Sequence, residues 1–364
     1  MKRLAPFVFA GLMAAGPVSA QVPFFGGPDQ PDLAIDSATR AAVIESLAVN
    51  LEAFYVFPDK GNEMARQLRR RHSRREYDRV TGAKAFAESL TSHMRAVTHD
   101  LHLAAIYSHE PVPAMRADAH PDEATRARDE ARSRSINYGF EQVRRLTGNV
   151  GYLDLRFFMA SPDAMATGVA AMNLLANFDA FVIDLRKNGG GSPAMIQLLL
   201  SYFVPEGEPV HINDFFDRPS GEITQWWSLP HVSGKRLDGR PLYVLTSRRT
   251  GSAAEEFAYD VQNLKLGTLV GETTAGAAHP VRFTRLGEHF GAAIATGRAI
   301  NPVTKTNWEG VGVKPDVAAK ANTALRVAHV AAIEALLAAS PPADKRALLE
   351  RSLERAKSAP DEVD

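Results

Sequence analysis

Residues 241–260 read PLYVLTSRRTGSAAEEFAYD. The apolar run Leu242-Tyr243-Val244-Leu245 predicts a short buried strand. Polar punctuation follows through Gly251, and then Ala253-Ala254-Glu255-Glu256-Phe257-Ala258-Tyr259 has helical character. Ser252 therefore stands where a strand turns into a helix, beside the unpaired N–H groups of the first helical turn. Those groups and the helix dipole favour developing negative charge, which suits an acyl-transfer nucleophile. The competing reading makes Ser252 a plain N-cap, with Glu255 completing an S-x-x-E capping box.

Outward from this stretch, strands alternate with helices. Residues 150–157, 180–185, 242–245 and 267–271 read as strands; 162–177, 193–203 and 252–263 read as helices. Such alternation predicts an α/β domain. Residues 281–300 suggest a β-ribbon, and 322–338 and 345–356 suggest terminal helices. Upstream, Val43, Leu47 and Leu51, then Met64 and Leu68, then Phe86, Leu90, Met94 and Val97 mark three helices. They form a small bundle that leads into a strand at 104–107. Residues 109–135 are polar, highly charged and read as a connection. They leave no room for an inserted peptide-binding domain of about ninety residues. The expected organisation is a signal peptide at 1–20, a helical domain at 21–110, a connection at 111–147, an α/β core at 148–320 and C-terminal helices at 321–364.

The chain has 364 residues with 42 basic and 42 acidic side chains, a balance that calls for neither nucleic acid nor an anionic membrane. Lys2 and Arg3, the apolar run 4–16 and Val18-Ser19-Ala20 have the pattern of a secretory signal, so an exported, periplasmic or secreted location is expected, without stable membrane insertion once the signal is removed. There is no cysteine, which excludes disulfides, thiol catalysis and thiolate metal sites. No tight His/Asp/Glu ligand spacing suggests a metal, and no cofactor is expected. Oligomeric state is not legible.

Three further stretches bear on the chemistry. In Asp184-Leu185-Arg186-Lys187-Asn188-Gly189-Gly190-Gly191-Ser192-Pro193, the glycines let backbone N–H groups approach a ligand. The spacing does not fit a phosphate loop. An oxyanion hole and a simple glycine turn capped by Ser192 both remain open. A serine also needs a base. Among the histidines, His102 stands at the mouth of a strand between the helical and α/β regions, with His99 and His279 as rivals. In Asn307-Trp308-Glu309-Gly310, the acid could orient an imidazole or could belong to a surface turn.

Taken in order, DLRKNGGG, TSRRTGSAAEE, VGETTAGAA and NWEGVGVKPD resemble the C-terminal-processing and tricorn-core serine peptidase family, over roughly residues 148–317. The helical region with FYVFP is similar to the N-terminal part of the interphotoreceptor retinoid-binding protein branch. The resemblance implies a core like that of Clp protease and crotonase. It implies Ser252 as nucleophile and an oxyanion hole from Gly190 or Gly191 together with Ala253. The family's lysine position is matched by Ala277, which disfavours a serine–lysine pair. The tricorn-like branch implies His102 as base and Glu309 as its partner, although Leu101 stands where the tricorn enzyme has a serine. The expectation is a Ser-His-Glu peptidase acting on peptides or polypeptides, gated by movement of the helical region against the core. Its rival is a non-catalytic binder of a lipid or other apolar molecule.

Overall fold

In the computed structural model, the described residues are 29–113 and 123–361. The expected signal at 1–20 lies outside them. In chain order the elements are α1 (Ser37–Phe54), α2 (Pro58–Ser73), α3 (Ala83–Thr98), β1 (Ala104–Tyr107), α4 (Glu123–Ser135), β2 (Phe140–Leu146), β3 (Val150–Leu155), α5 (Pro162–Leu175), β4 (Ala180–Asp184) and α6 (Pro193–Ser201). Then come β5 (His211–Asp217), β6 (Ile223–Trp227), β7 (Leu242–Thr246), α7 (Ala253–Asn263), β8 (Thr268–Gly271), β9 (Val281–Arg285), β10 (Phe290–Ala295), β11 (Gly297–Ile300), β12 (Val317–Ala318), α8 (Ala321–Ala338) and α9 (Ala343–Lys357).

The main sheet has strand order β12-β8-β7-β4-β3-β2. It is parallel from β3 through β12, and β2 adds an antiparallel edge. Strands β4 and β7 are buried along their whole length, as expected when both faces of a parallel sheet are covered. Alternate side chains sort to the two faces. Phe181, Ile183, Leu242 and Val244 pack in one core with Met172, Met195 and Phe257 of α5, α6 and α7. Val182, Tyr243 and Leu245 pack in another with Ala328, Ile333 and Leu349 of α8 and α9. The C-terminal helices therefore cover the second face of the sheet, a role their sequence did not reveal.

A third core lies between α1, α2 and α3 and includes Leu47, Tyr77 and Phe86. It is not confined to the N-terminal third. Phe290 and Ile294 of β10 belong to it, and β1 pairs antiparallel with β10, Ala104 opposite Ala293 through Tyr107 opposite Phe290. The ribbon at 281–295 thus completes a three-stranded sheet β1-β10-β9 with the helical region.

Two expectations need correction, and one pair of strands was not foreseen. Residues 111–147 are more than a connection: they contain α4 and the edge strand β2. The ribbon expected at 281–300 ends at Ala295, because β11 turns away and pairs with β5. Strands β5 and β6, an antiparallel pair, have no counterpart in the sequence reading.

Candidate active site

Ser252 occupies the turn from β7 into α7 with φ 53° and ψ −124°, a backbone conformation that residues with a side chain rarely adopt. The surroundings hold it there. Its N–H donates to the Glu255 carboxylate at 2.9 Å, and the Gly251 N–H donates to the Asn188 carbonyl at 3.1 Å. Upstream, Thr250 Oγ1 donates to the Leu185 carbonyl at 2.8 Å and Ser247 Oγ to the Arg186 carbonyl at 2.6 Å. The loops after β4 and β7 are thereby sewn together.

Glu255 does more than cap. It is fully buried and also accepts from Thr274 Oγ1 at 2.5 Å, Gly276 N–H at 2.6 Å and Ala277 N–H at 2.9 Å. Burial pushes its carboxyl above the ordinary range against these hydrogen bonds, which pull it down.

In the glycine loop, Gly190 has φ 118°, and a Cβ there would lie 2.7 Å from Ser252 Cβ and 3.1 Å from the Ala253 nitrogen. Only glycine permits this approach. The Gly190 N–H itself donates to Asn188 Oδ1 at 2.8 Å, so it is not a free donor in this conformation. The N–H groups of exposed Gly191 and of Ala253 donate to no such partner: neither makes a hydrogen bond among the described residues.

The imidazoles lie in a polar cluster. Asp100 is 1% exposed. It accepts from the His102 backbone N–H at 2.9 Å and from the Tyr55 hydroxyl at 3.2 Å, and it meets His279 Nδ1 at 3.1 Å. Glu309 accepts from the N–H groups of Ala278 and His279 at 2.6 and 3.2 Å and lies 3.5 Å from His279 Nδ1. Asp100, His102 and Glu309 bring one ligand-type atom each within 4.8 Å of one another. His102 Nδ1 and Glu309 Oε1 are both buried without a hydrogen-bond partner.

Burial lowers the His102 pKa below its ordinary value, which keeps the ring neutral. Burial and then the Asp100 charge raise Glu309. Burial also acts to raise Asp100, but the His279 hydrogen bond and the charges of His279 and His102 outweigh it and hold the carboxyl low.

One stretch links the nucleophile turn to this cluster. Of the four consecutive N–H groups at 276–279, the first two go to Glu255 and the last two to Glu309. Trp308 Nε1 donates to the Ala277 carbonyl at 3.0 Å and locks Glu309 alongside. The 276–279 backbone therefore ties the Glu255 that holds Ser252 to Glu309, and Glu309 lies in a cluster with His102, Asp100, His279 and, through Asp100, Tyr55. Asp100 and Tyr55 were missed; the available signal was the Asp-x-His spacing of Asp100 and His102. His99 is the left-handed C-cap of α3 and joins none of these contacts. Among the described residues, the Ser252 hydroxyl makes no hydrogen bond to an imidazole. Three exposed apolar side chains rim the region: Phe57, edge-on to His279; Leu101, next to His102; and Phe157, beside Gly189.

Residues 149–319 match the family described as Peptidase family S41, and residues 34–140 match the N-terminal domain of Peptidase S41 in eukaryotic IRBP. The chain is 32% identical over 184 residues to carboxyl-terminal-processing peptidase 1, chloroplastic, of Arabidopsis thaliana, covering 50% of this chain and 36% of that protein. It is 26% identical over 184 residues to the carboxy-terminal-processing protease of Bartonella bacilliformis, covering 48% and 39%. The chain thus spans little more than a third of the length of these relatives. A lipoprotein structure from Streptococcus agalactiae shares the fold at 14% identity, with a TM-score of 0.52 over 85% of this chain and 98% of that one. With both family regions matched in order, the chain belongs to peptidase family S41 and carries an N-terminal domain of the IRBP type.

Proposed function

We propose that the chain is an exported serine peptidase that hydrolyses peptide bonds through Ser252, His102 and Glu309. The observation that carries the reading is the backbone of Ser252: a strained strand-to-helix turn, packed against Gly190 and followed by the free N–H of Ala253. A capping serine alone has no need of that strain. The chemistry follows from the surroundings. Neutral His102 accepts the Ser252 Oγ proton as the oxygen attacks the carbonyl, then delivers it to the leaving amine. Glu309, through Oε1, holds His102 Nδ1 and balances the imidazolium. The two atoms that must meet for this are the two buried atoms that lack partners. The developing oxyanion is received by the Ala253 and Gly191 N–H groups, with Gly190 supplying clearance. Each such donor is worth about 2.7–4 kcal/mol in the transition state. The apolar rim of Phe57, Leu101 and Phe157 suits an extended substrate with apolar side chains near the cut. Export rests on the sequence pattern of residues 1–20.

A fluorophosphonate probe tests the assignment. Labelling at Ser252 that disappears in both Ser252→Ala and His102→Ala supports it. A folded wild-type protein that stays unlabelled sinks it and favours an apolar-ligand binder.

A further inference from the structure

The sequence shows no metal-ligand spacing, yet the fold assembles a ligand set from residues far apart in the chain. Asp100 and His102 flank Leu101 at the end of the α3–β1 turn, while Glu309 arrives from more than two hundred residues away in the chain. Their ligand atoms lie within 4.8 Å of one another. A tetrahedral zinc ion with bonds of about 2.0–2.2 Å needs its ligands roughly 3.4 Å apart, so modest side-chain shifts close the site. Two donors are already free: His102 Nδ1 and Glu309 Oε1 are buried and make no hydrogen bond. Buried polar atoms are nearly always satisfied, so an orphaned pair within one cluster calls for a partner. The surroundings also resemble a supporting shell. The Tyr55 hydroxyl and His279 Nδ1 orient Asp100, and the Ala278 and His279 N–H groups hold the other oxygen of Glu309.

We propose that Asp100, His102 and Glu309 form a binding site for a zinc-class divalent transition metal, and that its occupancy silences Ser252. The silencing half rests on the peptidase reading above; the binding half does not. A metal bonded to Nδ1 takes the lone pair there and leaves the ring proton on Nε2. The ring then has no lone pair to receive the Ser252 proton, and the cation beside it opposes further protonation. Glu309 is at the same time drawn from the imidazole to the metal. Nothing is oxidised and no bond of the substrate is involved, so removing the metal restores the base. The imidazole–carboxylate donor set selects zinc, cobalt or nickel over magnesium and calcium, which require oxygen ligands.

The test is calorimetric titration of the metal-free full chain with Zn2+, repeated on His102→Gln, Glu309→Gln and, as a control at a separate histidine–carboxylate pair, His211→Gln. Co2+ absorption reports the ligand geometry. The expected result is one Zn2+ per chain, weakened at least about 100-fold in the first two variants and unchanged in the third. Both glutamines keep hydrogen-bonding capacity, and a melting curve like that of wild type separates ligand loss from misfolding. In parallel, Zn2+ abolishes fluorophosphonate labelling of Ser252 and EDTA restores it. Absent binding, or binding that survives in well-folded His102→Gln and Glu309→Gln, overturns the site. Binding at the site with labelling untouched overturns the silencing. A metal-free wild type that takes no label counts against the peptidase reading alone, since calorimetry and the cobalt spectrum still report on the site.

Discussion

Helix α7 buries two acids on one face, and this makes its stability depend on pH in an unusual direction. Glu256 and Asp260 are 3% and 0% exposed and stand one helical turn apart. Asn213 Nδ2 donates to Glu256 and Asn301 Nδ2 to Asp260, both at 3.1 Å, and no cationic side chain pairs with either acid among the described residues. Burial pushes Glu256 from 4.5 up to about 8, and burial plus the Glu256 charge hold Asp260 well above the ordinary range. An acid with a raised folded-state pKa binds more protons folded than unfolded, so the stability that Glu256 contributes falls as pH rises from about 4.5 through about 8 and is constant above, with Asp260 acting in the same direction. At about 1.4 kcal/mol per pH unit, the ceiling for Glu256 is on the order of 5 kcal/mol. Glu256→Gln removes the Glu256 share of this dependence and the charge it places on Asp260, and keeps an acceptor for Asn213. The assay is urea unfolding of wild type and variant across pH 5 to 9. The variant should gain several kcal/mol over wild type at pH 9 relative to their difference at pH 5. Parallel pH profiles, or a variant that loses ground at pH 9, would refute the argument.

Further expectations concern the site itself. Gly190→Ala forces a methyl to within 2.7 Å of Ser252 Cβ at φ 118°, so labelling of Ser252 should fall at least about 100-fold while the far-UV circular dichroism is retained; near-normal labelling would contradict the packing. Glu255→Ala strands three backbone N–H groups and the Thr274 hydroxyl, and should cost on the order of 3–5 kcal/mol in denaturant unfolding, a loss below 1 kcal/mol counting against the hub role. Because burial lowers His102, the acid limb of the Ser252 labelling rate should fall below pH 6.5; a midpoint at or above that value would mean the ring is not buried in the working enzyme.

The parts of this molecule that were legible in advance are those set by short-range pattern. The buried strand 242–245 and the following helix announce themselves through apolar continuity and the Ser252–Glu255 spacing. The alternation from 150 to 271 then leaves little choice but a parallel sheet. What escaped is set by partners far apart in sequence. Residues 211–227 form β5 and β6 although Asn213, Asp214 and the polar 217–222 turn break any clean alternation; the pairing with β11 supplies what propensity lacks. Asp100 and His279 meet across 179 positions, a distance at which spacing carries no information. Of the Gly190 and Gly191 N–H groups, both open as oxyanion donors from the sequence, the first is taken by the Asn188 side chain folding back onto the loop, a local choice that three successive glycines cannot announce.

The shared sheet β1-β10-β9 has a consequence for how such a protein can be taken apart. Its middle strand comes from the second half of the chain and its edge strand β1 from the first, and Arg218 Nη2 also grips the Glu52 carbonyl at the end of α1 at 2.8 Å. A cut in the 111–147 segment therefore yields two fragments, each lacking strands that the other holds. Neither fragment should fold alone, but the two should find each other, as split reporters do. Such mutual dependence also bears on swinging the halves apart as a gate, since that motion would tear a backbone ladder; the approach of His102 to Glu309 that the proposed triad requires would then come from side-chain rotation within a stitched frame.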